Sequence, residues 1–207
     1  MRLCESFSSI QGEGIMMGEV TYFLRSAGCN LSCEWCDTLY SHGGGEDISV
    51  PEMIGLTEGY RNVCVTGGEP LLQDDIYDLL DALLREGKRV VLETNGSVDI
   101  SKVPVHENMI ISMDMKCPSS GMNDRMKHTN IAYLKTTDQL KFVISGKEDL
   151  EYAVSFINSN EPVCNIIFTP VGGMDLRPLA EEVIERKLSV RVLPQLHKII
   201  WGGKRSV

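Results

Sequence analysis

Short β-rich apolar runs alternate along this chain with amphipathic stretches. Residues 20–27 read as a strand, as do residues 62–66, which end at Gly67-Gly68. Residues 71–86 read as an amphipathic helix. Leu72, Ile76, Leu79, Leu80, Leu83 and Leu84 share one face, with Asp74, Asp75, Asp78 and Asp81 largely opposite. Strands follow at 89–93, 109–113 and 140–144, and a helix near 147–158. A strand at 163–169 and a helix at 176–187 come next, with Asp175 as N-cap and Pro178 in the first turn. A last strand spans 189–193.

Strands alternating with helices imply an α/β fold with a parallel sheet. The six or seven strand candidates are too few for a complete eight-unit barrel, which takes about 250 residues, whereas this chain has 207. The expected architecture is a partial, open TIM-type barrel with outer helices; a flat doubly wound sheet is second. No linker divides the chain, so residues 1–207 are expected to form one domain. Gly43-Gly44-Gly45 marks the clearest flexible spot. In either architecture the active site belongs at the C-terminal strand ends. The polar and cysteine-rich segments lie there: the loop after Ala27, Gly67-Gly68-Glu69-Pro70, Thr94-Asn95-Gly96, and Asp114 to Cys117.

Composition narrows the class. Apolar residues make up 43% and charged residues 24%, ordinary values for a globular protein. No apolar run is long enough to span a membrane, and the first residues lack a signal-peptide core, so a cytoplasmic location is expected. The net charge of −9 argues against nonspecific nucleic-acid binding. Seven cysteines, an odd number, speak against a disulfide framework. Cys64 and Cys164 sit in apolar runs and are expected to be buried and inert.

Cys29, Cys33 and Cys36 are different. Their Cys-x3-Cys-x2-Cys spacing supplies three soft thiolates in one loop. A simple electron-transfer cluster or a structural zinc site takes four ligands. Three ligands leave one metal position open for a small molecule. Zinc, with Asp37 or His42 as fourth ligand, is the competing reading of the spacing.

This loop, with Trp35 before its last cysteine and Gly67-Gly68-Glu69-Pro70 after the next strand, resembles the radical S-adenosylmethionine (SAM) superfamily. The resemblance implies a 4Fe-4S cluster on Cys29, Cys33 and Cys36, with SAM on the open iron. Glycines admit close backbone approach, and Glu69 is expected to accept from the SAM ammonium. Further segments resemble the 7-carboxy-7-deazaguanine synthase family over nearly the whole chain. These are Gln11-Gly12-Glu13, Cys36-Asp37-Thr38, Glu93-Thr94-Asn95-Gly96, Asp114-Met115-Lys116 and Gln195-Leu196-His197.

That family implies a reaction in 7-deazapurine synthesis. A 5′-deoxyadenosyl radical takes hydrogen from C6 of 6-carboxy-5,6,7,8-tetrahydropterin. The ring contracts, ammonia leaves, and SAM is regenerated. The resemblance carries substrate contacts onto Gln11, Gly12, Glu13, Arg25, Thr66, Glu93 and His197. It carries SAM contacts onto Trp35, Cys36, Asp37, Gly67, Gly68, Glu69, Asp114 and Lys116, with Thr169 and Pro170 as adenosine contacts by strand-end position. Thr38 becomes a magnesium ligand. A flavodoxin or ferredoxin as electron donor and a homodimer are also implied. The rival readings are an activating enzyme for a glycyl-radical protein and a non-catalytic zinc or iron-sulfur module.

Overall fold

The computed structural model describes residues 1–207. One nine-stranded sheet runs through the chain in the order β3-β1-β2-β4-β5-β6-β7-β8-β9. Its strands are β1 (Arg2–Ile10), β2 (Val20–Ser26), β3 (Glu46–Asp47), β4 (Asn62–Gly67), β5 (Arg89–Thr94), β6 (Met109–Asp114), β7 (Gln139–Ile144), β8 (Asn165–Pro170) and β9 (Arg191–Val192). From β2 onward neighbours pair in parallel, giving seven parallel strands that curl without closing. The sheet is open, as expected of a partial barrel. β1 pairs antiparallel with both β2 and β3.

The period-2 alternation of strands separates two apolar regions. Val63 and Val65 of β4, Val90 and Leu92 of β5, Ile111 and Met113 of β6, and Leu140 and Phe142 of β7 face the helices in one core of 34 residues. The alternate positions face inside. There Phe23, Cys64, Val91 and Ile110 join Met16 in a small plug. Above the plug the inner positions turn polar: Arg25, Thr66, Glu93, Asp114, Lys141 and Thr169 follow toward the C-terminal strand ends. The same strands thus build a dry layer outside and a polar chamber within.

The outer layer holds α1 (Val50–Leu56), α2 (Ile76–Arg85), α3 (Lys147–Asn160) and α4 (Arg177–Glu185), while α5 (Leu196–Trp201) lies at the mouth of the chamber. α1 opens with a capping box: Glu52 N–H donates to Ser49 Oγ, and Ser49 N–H to Glu52 Oε2 at 2.9 Å. α2 buries Ile76, Leu79, Leu80 and Leu83 completely. Each contributes roughly 1.5–3 kcal/mol by removal from water.

Several expectations are corrected. The helix expected at 71–86 begins only at Ile76. Pro70–Leu72 forms a separate 3-10 turn, which leaves Leu72 exposed. Asp75 adopts the N-cap position of α2 without a side-chain bond, and α4 is capped by Leu176 rather than Asp175. β1 and β3 precede or interrupt the expected series. Gly45, in the glycine run taken as flexible, packs tightly: an added Cβ would lie 2.9 Å from Ala27 Cβ and 3.0 Å from the Leu3 carbonyl. Cys64 and Cys164 are buried, as is Cys117, and all seven cysteines are free.

Candidate active site

A cavity of about 390 Å³ opens over the C-terminal strand ends. Its chemistry divides into three sectors.

The first sector is the loop after β2. Cys29, Cys33 and Cys36 are half-buried and line the cavity. Cys4, Cys64, Cys117 and Cys164 do not line it, so three thiols form its whole cysteine set. Cys29 Sγ accepts from Leu31 N–H at 3.5 Å and faces Asn95 Nδ2 at 3.8 Å. Cys36 Sγ lies 3.8 Å from Thr38 Oγ1 and 3.9 Å from His42 Nε2. Burial pushes the Cys33 thiol up, partly offset by Lys116.

The Gly67-Gly68 turn seats directly on this loop. Glu69 N–H donates to the Gly28 carbonyl at 2.9 Å. A Cβ at position 68 would fall 2.2 Å from that carbonyl oxygen and 2.7 Å from Cys29 Cβ. Only glycine permits this approach. Both glycines line the cavity, but Glu69 does not. Its side chain is completely buried and accepts from Leu71 N–H at 3.0 Å, Asn95 N–H at 2.6 Å and the Thr94 hydroxyl at 2.9 Å. Burial lifts its pKa to about 7. The carboxylate ties the Gly-Gly turn to the end of β5.

The second sector is the polar inner wall. Gln11, Gly12 and Glu13 follow β1, and α5 packs on them. Leu196 N–H donates to the Gly12 carbonyl at 2.9 Å, and a Cβ on Gly12 would collide with His197 Nδ1 at 2.2 Å. Glu13 accepts from Gln195 Nε2 at 2.7 Å and from Lys141 Nζ at 2.9 Å. Burial opposes its ionisation, but Lys141 and Gln195 prevail and hold its pKa down to about 2. Glu93 is pushed the other way by burial, in spite of Lys141 at 3.4 Å. Burial also lowers His197, which favours the neutral imidazole. Arg25 Nε donates to Glu5 Oε1 at 2.7 Å, which also accepts from Tyr40 Oη at 2.9 Å. Thr66 stands beside Arg25 on the wall.

The third sector carries Trp35, Asp37, Asp114, Lys116, Thr169 and Pro170, all lining the same cavity. Lys116 Nζ lies 2.6 Å from Asp114 Oδ2 and 5.5 Å from the Trp35 ring centre. Burial works against the Asp114 carboxylate, but Lys116 and Lys141 keep its pKa low. Its Oδ1 is buried without a hydrogen-bond partner. Its charge is met by the Lys141 ammonium at 3.4 Å.

The cavity thus gathers every expected site residue except Glu69. It also contains Glu5, Tyr40, Asn95 and Lys141, which sequence reasoning did not single out, and the C-terminal Val207. Asn95 was within reach, because it lies in the segment Glu93-Thr94-Asn95-Gly96. Lys141 had one signal, a lone charge inside the apolar run 140–144.

The Radical SAM superfamily profile matches residues 23–141, more than half of the chain. A 7-carboxy-7-deazaguanine synthase of Thermoplasma acidophilum is 39% identical over 100% of both chains. Another, of Methanospirillum hungatei, is 43% identical over 97% of this chain and 85% of its own. The crystal structure of QueE from Escherichia coli superposes with a TM-score of 0.77 at 24% identity, covering 95% of this chain and 94% of that one.

Proposed function

Because the chain belongs to the radical SAM superfamily, and within it to the 7-carboxy-7-deazaguanine synthase family, we propose that the cavity over the strand ends holds cluster, SAM and pterin together, with the site residues divided among the three. The family's chemistry is the ring contraction of 6-carboxy-5,6,7,8-tetrahydropterin to 7-carboxy-7-deazaguanine with loss of ammonia. Its members use a 4Fe-4S cluster and SAM, which sets aside the zinc module, and membership of this family rather than of the superfamily alone sets aside the glycyl-radical activating enzyme.

One observation carries the assignment. Three thiols with no fourth cysteine, the Gly67-Gly68 turn, and the Gln11-to-Glu13 wall open into one chamber. The residues suit the groups they would hold. Cys29, Cys33 and Cys36 would hold a 4Fe-4S cluster through three thiolates, with no fourth cysteine in the cavity. When bound, cluster and SAM supply the radical that removes hydrogen from the substrate. Gly67 and Gly68 offer backbone to the methionine end. Trp35, Cys36, Asp37, Asp114, Lys116, Thr169 and Pro170 flank the rest of SAM. Glu69 acts from behind, fixing the turn.

On the substrate side, Arg25 pairs with the pterin carboxylate in forked geometry. Glu13, ionised throughout the physiological range, is a pure acceptor for pterin N–H groups, and Gln11 reads both donors and acceptors. Glu93, whose proton affinity burial raises, stands on the same wall beside Glu13. Neutral His197 packs on Gly12 and closes the wall with Thr66. Thr38, with the substrate carboxylate, would hold Mg2+ through hard oxygen ligands.

The wider reading is a single domain over residues 1–207, acting as a homodimer in the cytoplasm with a flavodoxin or ferredoxin as electron donor. Seven unpaired cysteines suit a reducing compartment. No helix is long and apolar enough to cross a membrane. The test is an anaerobic assay of the reconstituted protein with SAM, Mg2+, reductant and the pterin, read by mass spectrometry. Product formation that disappears in Cys33→Ala supports the reading. SAM cleavage without a deazaguanine product would refute the substrate.

A further inference from the structure

Lys141 is the most highly paired charge in the molecule. It sits in β7 between Leu140 and Phe142, which face the core, so strand alternation alone turns it into the chamber. Its side chain is 7% exposed. The ammonium lies 2.9 Å from Glu13, 3.4 Å from Glu93 and 3.4 Å from Asp114. These carboxylates come from three separate segments: the connection after β1, the end of β5 and the end of β6.

Such an arrangement is unstable without its cation. Carboxylates crowded together in a desolvated site repel one another, and one of them takes up a proton. A buried ammonium is equally costly without anions. Here each offsets the other. Lys141 and Gln195 occupy the two oxygens of Glu13 from opposite sides, which fixes the carboxylate before any ligand arrives. Lys141 also meets Asp114, whose other oxygen is held by Lys116. One side chain therefore spans the pterin wall and the SAM wall.

We propose that Lys141 is a positioning residue for the pterin: from β7 it holds Glu13 and Glu93 in the arrangement that receives the substrate, while Lys116 keeps Asp114 in place on the SAM side. This rests on the reading of the chamber as a pterin site. Lys141 acts through the carboxylates, so losing it disturbs substrate recognition rather than cluster assembly.

The test uses anaerobic, cluster-loaded protein and measures equilibrium affinity for 6-carboxytetrahydropterin and, separately, for SAM, together with pterin KM and kcat. Lys141→Met is expected to weaken pterin binding and raise KM by about 10- to 100-fold, the range for a lost hydrogen bond to a charged group. SAM affinity and iron content are expected to stay within about threefold. Lys141→Arg is expected to recover part of the loss. On a Glu13→Gln background, Lys141→Met is expected to add much less than it does alone, because coupled residues are not additive. Pterin affinity within about twofold of wild type in Lys141→Met overturns the proposal, as do parallel losses of pterin and SAM affinity. If Lys141→Met does not accumulate folded, Lys141→Arg crossed with Glu13→Gln decides: additive losses overturn the proposal and coupled losses support it. A wild-type protein that binds no pterin refutes the substrate reading itself. Wild-type binding beside an unimpaired Lys141→Met refutes only the role of Lys141.

Discussion

Arg25 and Glu5 face each other in register across the antiparallel pair β1 and β2, and the guanidinium Nε donates to Glu5 Oε1 at 2.7 Å. The pair is largely buried, with side chains 15% and 16% exposed. Burial opposes ionisation of Glu5, but Ser206, Arg25 and Tyr40 hydrogen-bond to it and bring its pKa down. Glu5 therefore holds one edge of the Arg25 fork and leaves the other for a ligand. Arg25→Lys keeps the charge and loses the fork. Pterin KM in that variant is expected to rise by about tenfold or more, with SAM affinity unchanged, as steady-state kinetics can establish.

Gly68 carries a steric prediction. A Cβ there meets the Gly28 carbonyl oxygen at 2.2 Å, and backbone cannot step aside as a flexible side chain can. Gly68→Ala is expected to push the cysteine loop away from the turn. Iron retained after anaerobic reconstitution should fall well below that of wild type, with loss of the visible cluster absorption.

Glu69 carries a pH prediction. Burial raises its folded pKa to about 7, above the ordinary 4.5 of a glutamate. Between those values the folded protein binds more protons than the unfolded chain, so stability falls as pH rises through the window and is flat above it. The loss is on the order of 3 kcal/mol at about 1.4 kcal/mol per pH unit. Glu93, also raised by burial, acts in the same direction. In urea titrations from pH 5 to 8, wild type should lose stability relative to Glu69→Gln by about that amount. A pH-independent difference between them would show that Glu69 stays ionised throughout.

Leu80 tests the outer layer. It is completely buried on α2, inside the main core and away from the chamber. Leu80→Ala is expected to destabilise the protein by about 2–5 kcal/mol, measured by denaturant unfolding. kcat per folded molecule should be unchanged.

The parallel strands were legible in the sequence because their outer positions are apolar and β-rich, and turn signals bound each run. β1 was not. Its inner positions, Glu5, Phe7 and Ser9, line the chamber, so the alternation that marks a strand is broken by the site's own polarity. The two-residue β3 has no periodicity to show. The cysteine loop and the Gln11-Gly12-Glu13 segment were legible because their chemistry is local. The partners of Glu69 are not legible for the opposite reason: Thr94 and Asn95 lie at the end of the next strand, and only the folded sheet brings them to its carboxylate. Lys141 is silent in the sequence because a single lysine in an apolar run gives no sign of the three carboxylates it meets.

The most direct measurement is turnover of 6-carboxytetrahydropterin deuterated at C6, with the SAM pool recovered and weighed by mass spectrometry. If the chamber holds cluster, SAM and pterin together, and hydrogen is taken from C6 and SAM regenerated, deuterium appears in recovered SAM as 7-carboxy-7-deazaguanine accumulates. Product without any label in SAM or 5′-deoxyadenosine, or labelled pterin returned unchanged while SAM is cleaved, would contradict the account.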